Sequence, residues 1–357
     1  MTVWQYNRTV VGNDAIGNSI RFLDTGLREA GRDTQIVVAE TGSDQAGSPH
    51  PLLPELEARV QPSDTVLVHY SFYDPDVNRL LRLPARRIMI YHNITPGRFF
   101  ADAGMTGIAG ACDAGRAQLH DFAPRFDTVV CDSQFNRDDL PAQTQACAQV
   151  IPVLTAHEAF ASRKVSAFKI AALRVNYKIV CLSVGRLVPN KDLAHLLHVL
   201  ADLRERFGVD ACLLIVGKTW DATYTASLHA LATQLGIAEH VQWLGNVADA
   251  DLPACFRAAD VYLQASEHEG FGIPVLESMA IALPVIALNV GATPEILGGT
   301  GVLLDSKIVH LWSAVILEIA TNRQLRREIT FMQHRATERF KLSSTIQAWN
   351  ALLRESP

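Results

Sequence analysis

Short apolar runs alternate with stretches whose apolar residues recur every three or four positions. TVWQY, QIVVA, TVLVHY, RIMIYH, TVVCD and VIPVL occupy the first half, and YKIVCLSVG, CLLIVG, VQWLG, VYLQAS and PVIAL the second. Runs with no polar face suit strands of a parallel sheet covered on both sides by helices. Between them, Ile16, Ile20, Leu23 and Leu27 share one helical face, stopped by Gly31. From Lys191, a second helix presents Leu193, Leu196, Leu197, Leu200, Leu203 and Phe207 and stops at Gly208. Ile346, Trp349 and Leu352 or Leu353 line one side of a last helix. Such alternation predicts an α/β doubly wound parallel sheet, and here it occurs twice. The rhythm breaks between about Thr155 and Asn176, which sets domains at 1–160 and 170–335, followed by a helical segment over 336–357.

Composition narrows the partners. At 357 residues the chain exceeds the size at which one core stops growing. With 48% hydrophobic and 19% charged residues, it can pack those cores. A net charge of −5 supplies no field to recruit nucleic acid. The opening MTVWQYNRTVVGND lacks the plan of a signal peptide, no apolar run is long enough to cross a bilayer, and the six cysteines are scattered. The expectation is a cytoplasmic chain with free thiols. Arg79, Arg82, Arg86 and Arg87 in NRLLRLPARR read either as a solvated face leading into a strand or as a weak, peripheral contact with an anionic membrane surface.

In doubly wound sheets, ligands bind where strands end and helices begin. After the first strand, VGNDAIGNS offers Gly12 and Gly17, either as a cradle for a phosphate or sugar or as a plain strand-to-helix turn. It is not G-x-G-x-x-G, so a nicotinamide cofactor is disfavoured. SVGRLVPNKDL places Gly185, Arg186 and Lys191 after a strand. Arginine grips phosphate as a fork and lysine adds a point charge, so together they could neutralise a diphosphate without a metal. Alone, the same residues could be a surface turn with two exposed cations.

EHEGFGIPVLESMA puts Gly270 and Gly272 between two carboxylates, Glu269 and Glu277, with Pro274 suited to a first helical turn. The glycine amides and both acids could hold sugar hydroxyls; alternatively, Glu277 serves the helix dipole and Glu269 is exposed. His92 follows RIMIY at a carboxyl end, as a ligand contact or a structural histidine. Of two Asp-x-Asp triplets, Asp74–Asp76 reads as a turn, and Asp251 of the second as a helix cap. The glycine-spaced segment 102–115 reads as a mobile loop or an ordinary connection.

Three stretches carry a resemblance: SVGRLVPNK, WLGNVADADL and ADVYLQASEHEGFGIPVLESMAIALPVIALNVGATPEIL. The Gly-Arg…Lys pair and the two glutamates with seven residues between them resemble family-4 retaining glycosyltransferases of the GT-B fold, from about Val180 to Leu304. The resemblance implies two Rossmann-like domains facing across a cleft, with the last helix crossing back to the first domain. It implies that Arg186 and Lys191 hold the donor diphosphate, Glu269 the sugar hydroxyls, and Glu277 the ribose. Gly270, Phe271 and Gly272 would line the sugar and phosphate site with Gly185, and Asn246 and Val247 would border the base. Gly17 would close over the phosphates, and His92 would touch sugar or acceptor near the reacting carbon.

The implied substrates are a UDP- or GDP-linked sugar and a glycan or lipid-linked acceptor, with no cofactor and no required metal. The implied setting is bacterial surface polysaccharide or lipopolysaccharide assembly at the inner face of the cytoplasmic membrane. A sugar-nucleotide epimerase or a phosphorylase would share the phosphate sites. A glycosidase would use the two glutamates but leave Arg186 and Lys191 unexplained.

Overall fold

The computed structural model describes residues 1–10, 14–40, 50–174 and 177–354. It divides the chain into two compact units, one of residues 1–156 with 340–357 and the other of residues 157–339.

The first unit contains six parallel strands: β1 (Thr2–Asn7), β2 (Asp33–Val38), β3 (Thr65–Tyr70), β4 (Arg86–Tyr91), β5 (Thr128–Cys131) and β6 (Gln149–Val150). Their order is β2-β1-β3-β4-β5-β6. The run VIPVL gives a strand only to Val150, because Pro152 has no N–H for the ladder. The helix Ala15–Glu29 buries Ile20, Leu23 and Leu27, and Asp14 caps its start. The last helix, Leu342–Leu352, belongs to this unit. Its Trp349 and Leu352 join Val3, Leu67, Ile88 and Val130 in one core. Ile346 lies so close to Gly26 that a methyl group there would collide with it.

The glycine-spaced segment is a helix, Thr106–Phe122, and not a loop. Its buried residues Ala109, Cys112, Gly115 and Leu119 recur at helical spacing. Gly115 packs against the backbone of Tyr73 and the side chain of Ile94, so its lack of a side chain permits the approach. In NRLLRLPARR, Arg79 pairs with Glu57 and Asp76, Arg87 pairs with Asp127, Arg86 donates to the Leu352 carbonyl, and Arg82 is exposed.

The second unit contains β7 (Ile179–Val184), β8 (Ala211–Val216), β9 (Val241–Gly245), β10 (Val261–Gln264), β11 (Val285–Leu288) and β12 (Val302–Leu304). The order is β12-β11-β10-β7-β8-β9, all parallel. The short edge strand β12 carries too few residues to show a period. The helix Leu193–Glu205 buries Leu193, Leu196, Leu197, Leu200 and Leu203. Lys191 lies outside this helix, at the end of a 3-10 turn, Pro189–Lys191. Asp192 follows in the left-handed region (φ 44°) and accepts the His195 amide, so the helix starts two residues later than the spacing predicted. Asp251 occupies a cap position without a capping bond, because its carboxylate pairs with Lys169 at 2.5 Å. No helix among the described residues is long and apolar enough to cross a membrane.

Candidate functional site

In the second unit, β7 and β10 lie side by side where the strand order reverses, the usual place for a ligand in an open α/β sheet. The loops leaving their carboxyl ends line one pocket, with Gly185, Arg186 and Lys191 on one side and Gln264, Ser266 and Glu269 on the other. Lys191 Nζ donates to Glu269 Oε2 at 2.5 Å, and Gln264 Nε2 approaches the same oxygen at 3.4 Å. Lysine has three donors, so this pair leaves two N–H groups for an anion.

Contacts outside the pocket hold these residues in place. Asn190, buried, donates to the His268 carbonyl at 3.1 Å and accepts the Glu267 amide at 2.8 Å. Lys307 bridges Asp192, at 2.6 Å, and Glu267. The carbonyl of Glu269 accepts the Ala292 amide at 2.9 Å. Gly272, with φ of 101°, turns the chain into the helix Ile273–Ala280, and Phe271 beside it is buried. Arg186 has no carboxylate partner among the described residues; its guanidinium lies 4.8 Å from the ring centre of Trp220.

Glu277 stands in the second turn of that helix and is half-buried. Loss of solvent, with Asp249 adding to it, pushes its carboxyl up to about 8. Tyr262, raised well above the ordinary phenol range by burial, feels the charges of both Glu269 and Glu277. The pKa shift carries a stability consequence. Between the ordinary value of 4.5 and about 8, folded Glu277 keeps a proton that the unfolded chain has released. Stability therefore falls as pH rises through that window. Thermal unfolding of wild type and Glu277→Gln at pH 5 and pH 8 should show a larger loss of midpoint in wild type. Equal losses in both would refute the assignment.

Asn246, exposed, and Val247, half-buried, follow β9 and do not line the pocket. They stand in the same turn as Asp249, whose charge reaches Glu277.

The first unit holds two more of the expected site residues, Gly17 and His92. Gly17 is not in a loop. It sits in the first turn of Ala15–Glu29, where its N–H donates to Asp14 at 3.1 Å because Asp14 caps the helix. Gly12 lies outside the described residues. His92 is at the expected carboxyl end of β4, but its ring turns inward and is 3% exposed. Its Nδ1 donates to Asp132 at 2.7 Å, and its Nε2 is 2.9 Å from Nδ1 of His69. Both ring nitrogens are thus engaged within the unit, the arrangement of the structural-histidine alternative.

The sheet register explains this cluster. Tyr70 pairs with Tyr91 and Tyr91 with Cys131, so β3, β4 and β5 end at one level and bring His69, His92 and Asp132 together. Asn93 then takes φ of 73°, which asparagine tolerates, and is held by Asn136 at 2.9 Å. Burial, with His92 adding to it, keeps His69 well below the ordinary histidine range and therefore neutral.

The sequence reading missed several residues. Asp132 ends TVVCD just as His92 follows RIMIY, so the same carboxyl-end rule would have found it. Trp220 follows CLLIVG in the same way. Asn190 and Lys307 give no local signal, because their partners are distant in sequence.

Residues 167–331 match the family model described as glycosyl transferases group 1. That match lies within the second unit, residues 157–339. Curated relatives align over less than half of the chain, and the chain spans less than half of their own length. One is the GDP-mannose-dependent alpha-(1-6)-phosphatidylinositol monomannoside mannosyltransferase of Mycobacterium tuberculosis, 37% identical over 169 residues, which are 43% of this chain and 42% of that protein. Another is the O-antigen chain mannosyltransferase B of Escherichia coli, 32% identical over 181 residues, covering 48% of this chain and 45% of that protein.

Solved structures align over the whole chain. Anabaena HepE in complex with UDP-glucose has a TM-score of 0.77 at 19% identity, covering 99% of both chains. WaaG, a glycosyltransferase involved in lipopolysaccharide biosynthesis, has a TM-score of 0.75 at 13% identity, covering 99% of this chain and 100% of that one. These likenesses place the chain in the GT-B fold class with its two Rossmann-like units.

Proposed function

We propose that this chain is a family-4 retaining glycosyltransferase. It would move a sugar from a nucleotide diphosphate sugar to a hydroxyl of a glycan or lipid-linked acceptor in bacterial surface polysaccharide assembly, including lipopolysaccharide. The observation that carries this is the Lys191–Glu269 pair beside Arg186 at the sheet's switch point. A glycosidase has no use for two cations there, whereas a departing diphosphate does. Arg186 and the two remaining donors of Lys191 would meet the charge that develops on the leaving phosphate, the largest electrostatic task in such a transfer. In this reading they take the place of a metal, and no cofactor is required.

Glu269 would accept hydrogen bonds from the sugar and Glu277 from the ribose. With retention of configuration, the acceptor attacks the face the diphosphate leaves, and a leaving phosphate oxygen takes the acceptor's proton. The C–O bond to the diphosphate breaks as the new glycosidic bond forms. The relatives' names favour mannose from GDP-mannose as the donor group. The setting would be cytoplasmic, peripheral at the inner membrane face.

The test is turnover and binding of GDP-mannose, UDP-glucose and dTDP-sugars by the purified protein. GDP-mannose should be hydrolysed slowly without acceptor, with the anomeric configuration kept. If none of the panel is bound or turned over, the proposal is wrong.

A further inference from the structure

Trp220 stands at the end of the loop that leaves β8, and its side chain is half open to solvent at 48% exposure. It is placed there by two fixed points. On one side the loops after β7 and β8 are zipped together: the Gly185 amide donates to Val216, the Leu187 amide donates to Lys218 at 3.1 Å, and Leu187 pairs with Thr219. Gly217 lies against the Gly185 carbonyl so closely that no side chain would fit between them. On the other side, Asp221 caps the helix Ala222–Gln234 by accepting the Tyr224 amide at 2.7 Å. The ring is thus set over the loop that carries Arg186, with the guanidinium carbon 4.8 Å from its centre.

An aromatic support differs from a carboxylate in one respect. A carboxylate such as the one facing Lys191 neutralises part of a cation's charge and occupies its donors. A ring attracts the cation through its quadrupole while leaving the net charge and the edge N–H groups available. A long arginine held by nothing also loses rotamer freedom when it grips an anion.

We propose that Trp220 is a positioning residue that holds the Arg186 guanidinium ready for the donor's diphosphate. This rests on the donor-site reading above. It also fits the neighbouring cation: Lys191 is oriented by Glu269, and Arg186 by a neutral ring, so the pocket keeps more positive charge than two ion pairs would leave.

The test is calorimetric binding of GDP, UDP, guanosine and uridine to wild type, Trp220→Ala, Trp220→Phe and Trp220→Leu. Trp220→Ala and Trp220→Leu should weaken the preferred diphosphate by about three- to tenfold, while the matching nucleoside is unaffected and Trp220→Phe retains most of the affinity. In an Arg186→Ala background, Trp220→Ala should add nothing further. Unchanged diphosphate affinity in Trp220→Ala overturns the proposal. So does an equal loss for diphosphate and nucleoside, which would mean that the ring stacks on the base. If wild type binds neither GDP nor UDP, the donor site itself is misassigned and this proposal falls with it.

Discussion

Lys191→Ala lowers sugar transfer by about 100- to 1,000-fold, the range seen when one preorganised electrostatic donor is removed from a reacting site. The reason is more than a lost donor. Lys191 is the close cation partner of Glu269, at 2.5 Å, and Gln264 at 3.4 Å is a poor substitute. Without the ammonium, the Glu269 carboxylate loses its ion-pair partner and Arg186 alone meets the incoming diphosphate, so the pocket's charge falls from net positive to about neutral. Adding Glu269→Gln to Lys191→Ala should therefore recover part of the loss, although Glu269→Gln alone impairs transfer. Residues in contact give such non-additive cycles. Initial transfer rates of the two single variants and the double variant check this. A Lys191→Ala rate within about threefold of wild type would be incompatible with the proposed role.

Gly291→Ala is expected to damage both stability and transfer. Gly291 has φ of 65°, and a methyl group there would lie 2.5 Å from the Glu269 carbonyl oxygen and 3.0 Å from its amide nitrogen. Both atoms are backbone and cannot swing aside. The left-handed conformation alone disfavours a side chain by about 1–2 kcal/mol. The collision then displaces the segment that presents Glu269 to Lys191, and a shift of about 1 Å at such a site can lower rate by about 100-fold. Gly299→Ala separates the two effects. It has φ of 80° with open space around it, so it should lose a similar share of stability and keep transfer. Chemical denaturation and initial rates measured on both variants check the pair. Equal transfer losses in the two would show that strain, and not the collision with Glu269, is responsible.

How far the fold could be read in advance depended on the kind of residue involved. Strands such as β3 and β8 are buried along their whole length, and continuous apolar runs declare that directly. The helix Thr106–Phe122 was hidden because glycine is a weak helix former; packing against Tyr73 and Ile94 accounts for Gly115, while Gly107 and Gly110 face open space. Lys191 was placed one structural element too far because Asp192, a left-handed cap, looks in sequence like the helix interior. The edge strand β12 is only three residues long, too short for any period to show.

Local chain chemistry specified the alternation of strand and helix, the glycine and proline that open Ile273–Ala280, and the set of charged residues at strand ends. These depend on neighbours within a few positions, so they are written in the order of residues. Which charge meets which was settled by the fold. Lys191 reaches Glu269 across 78 positions because β7 and β10 are adjacent, and His92 turns to Asp132 across 40 because β4 and β5 end level. Sheet order and register bring these groups within bonding distance, and neither is a property of any short stretch of chain.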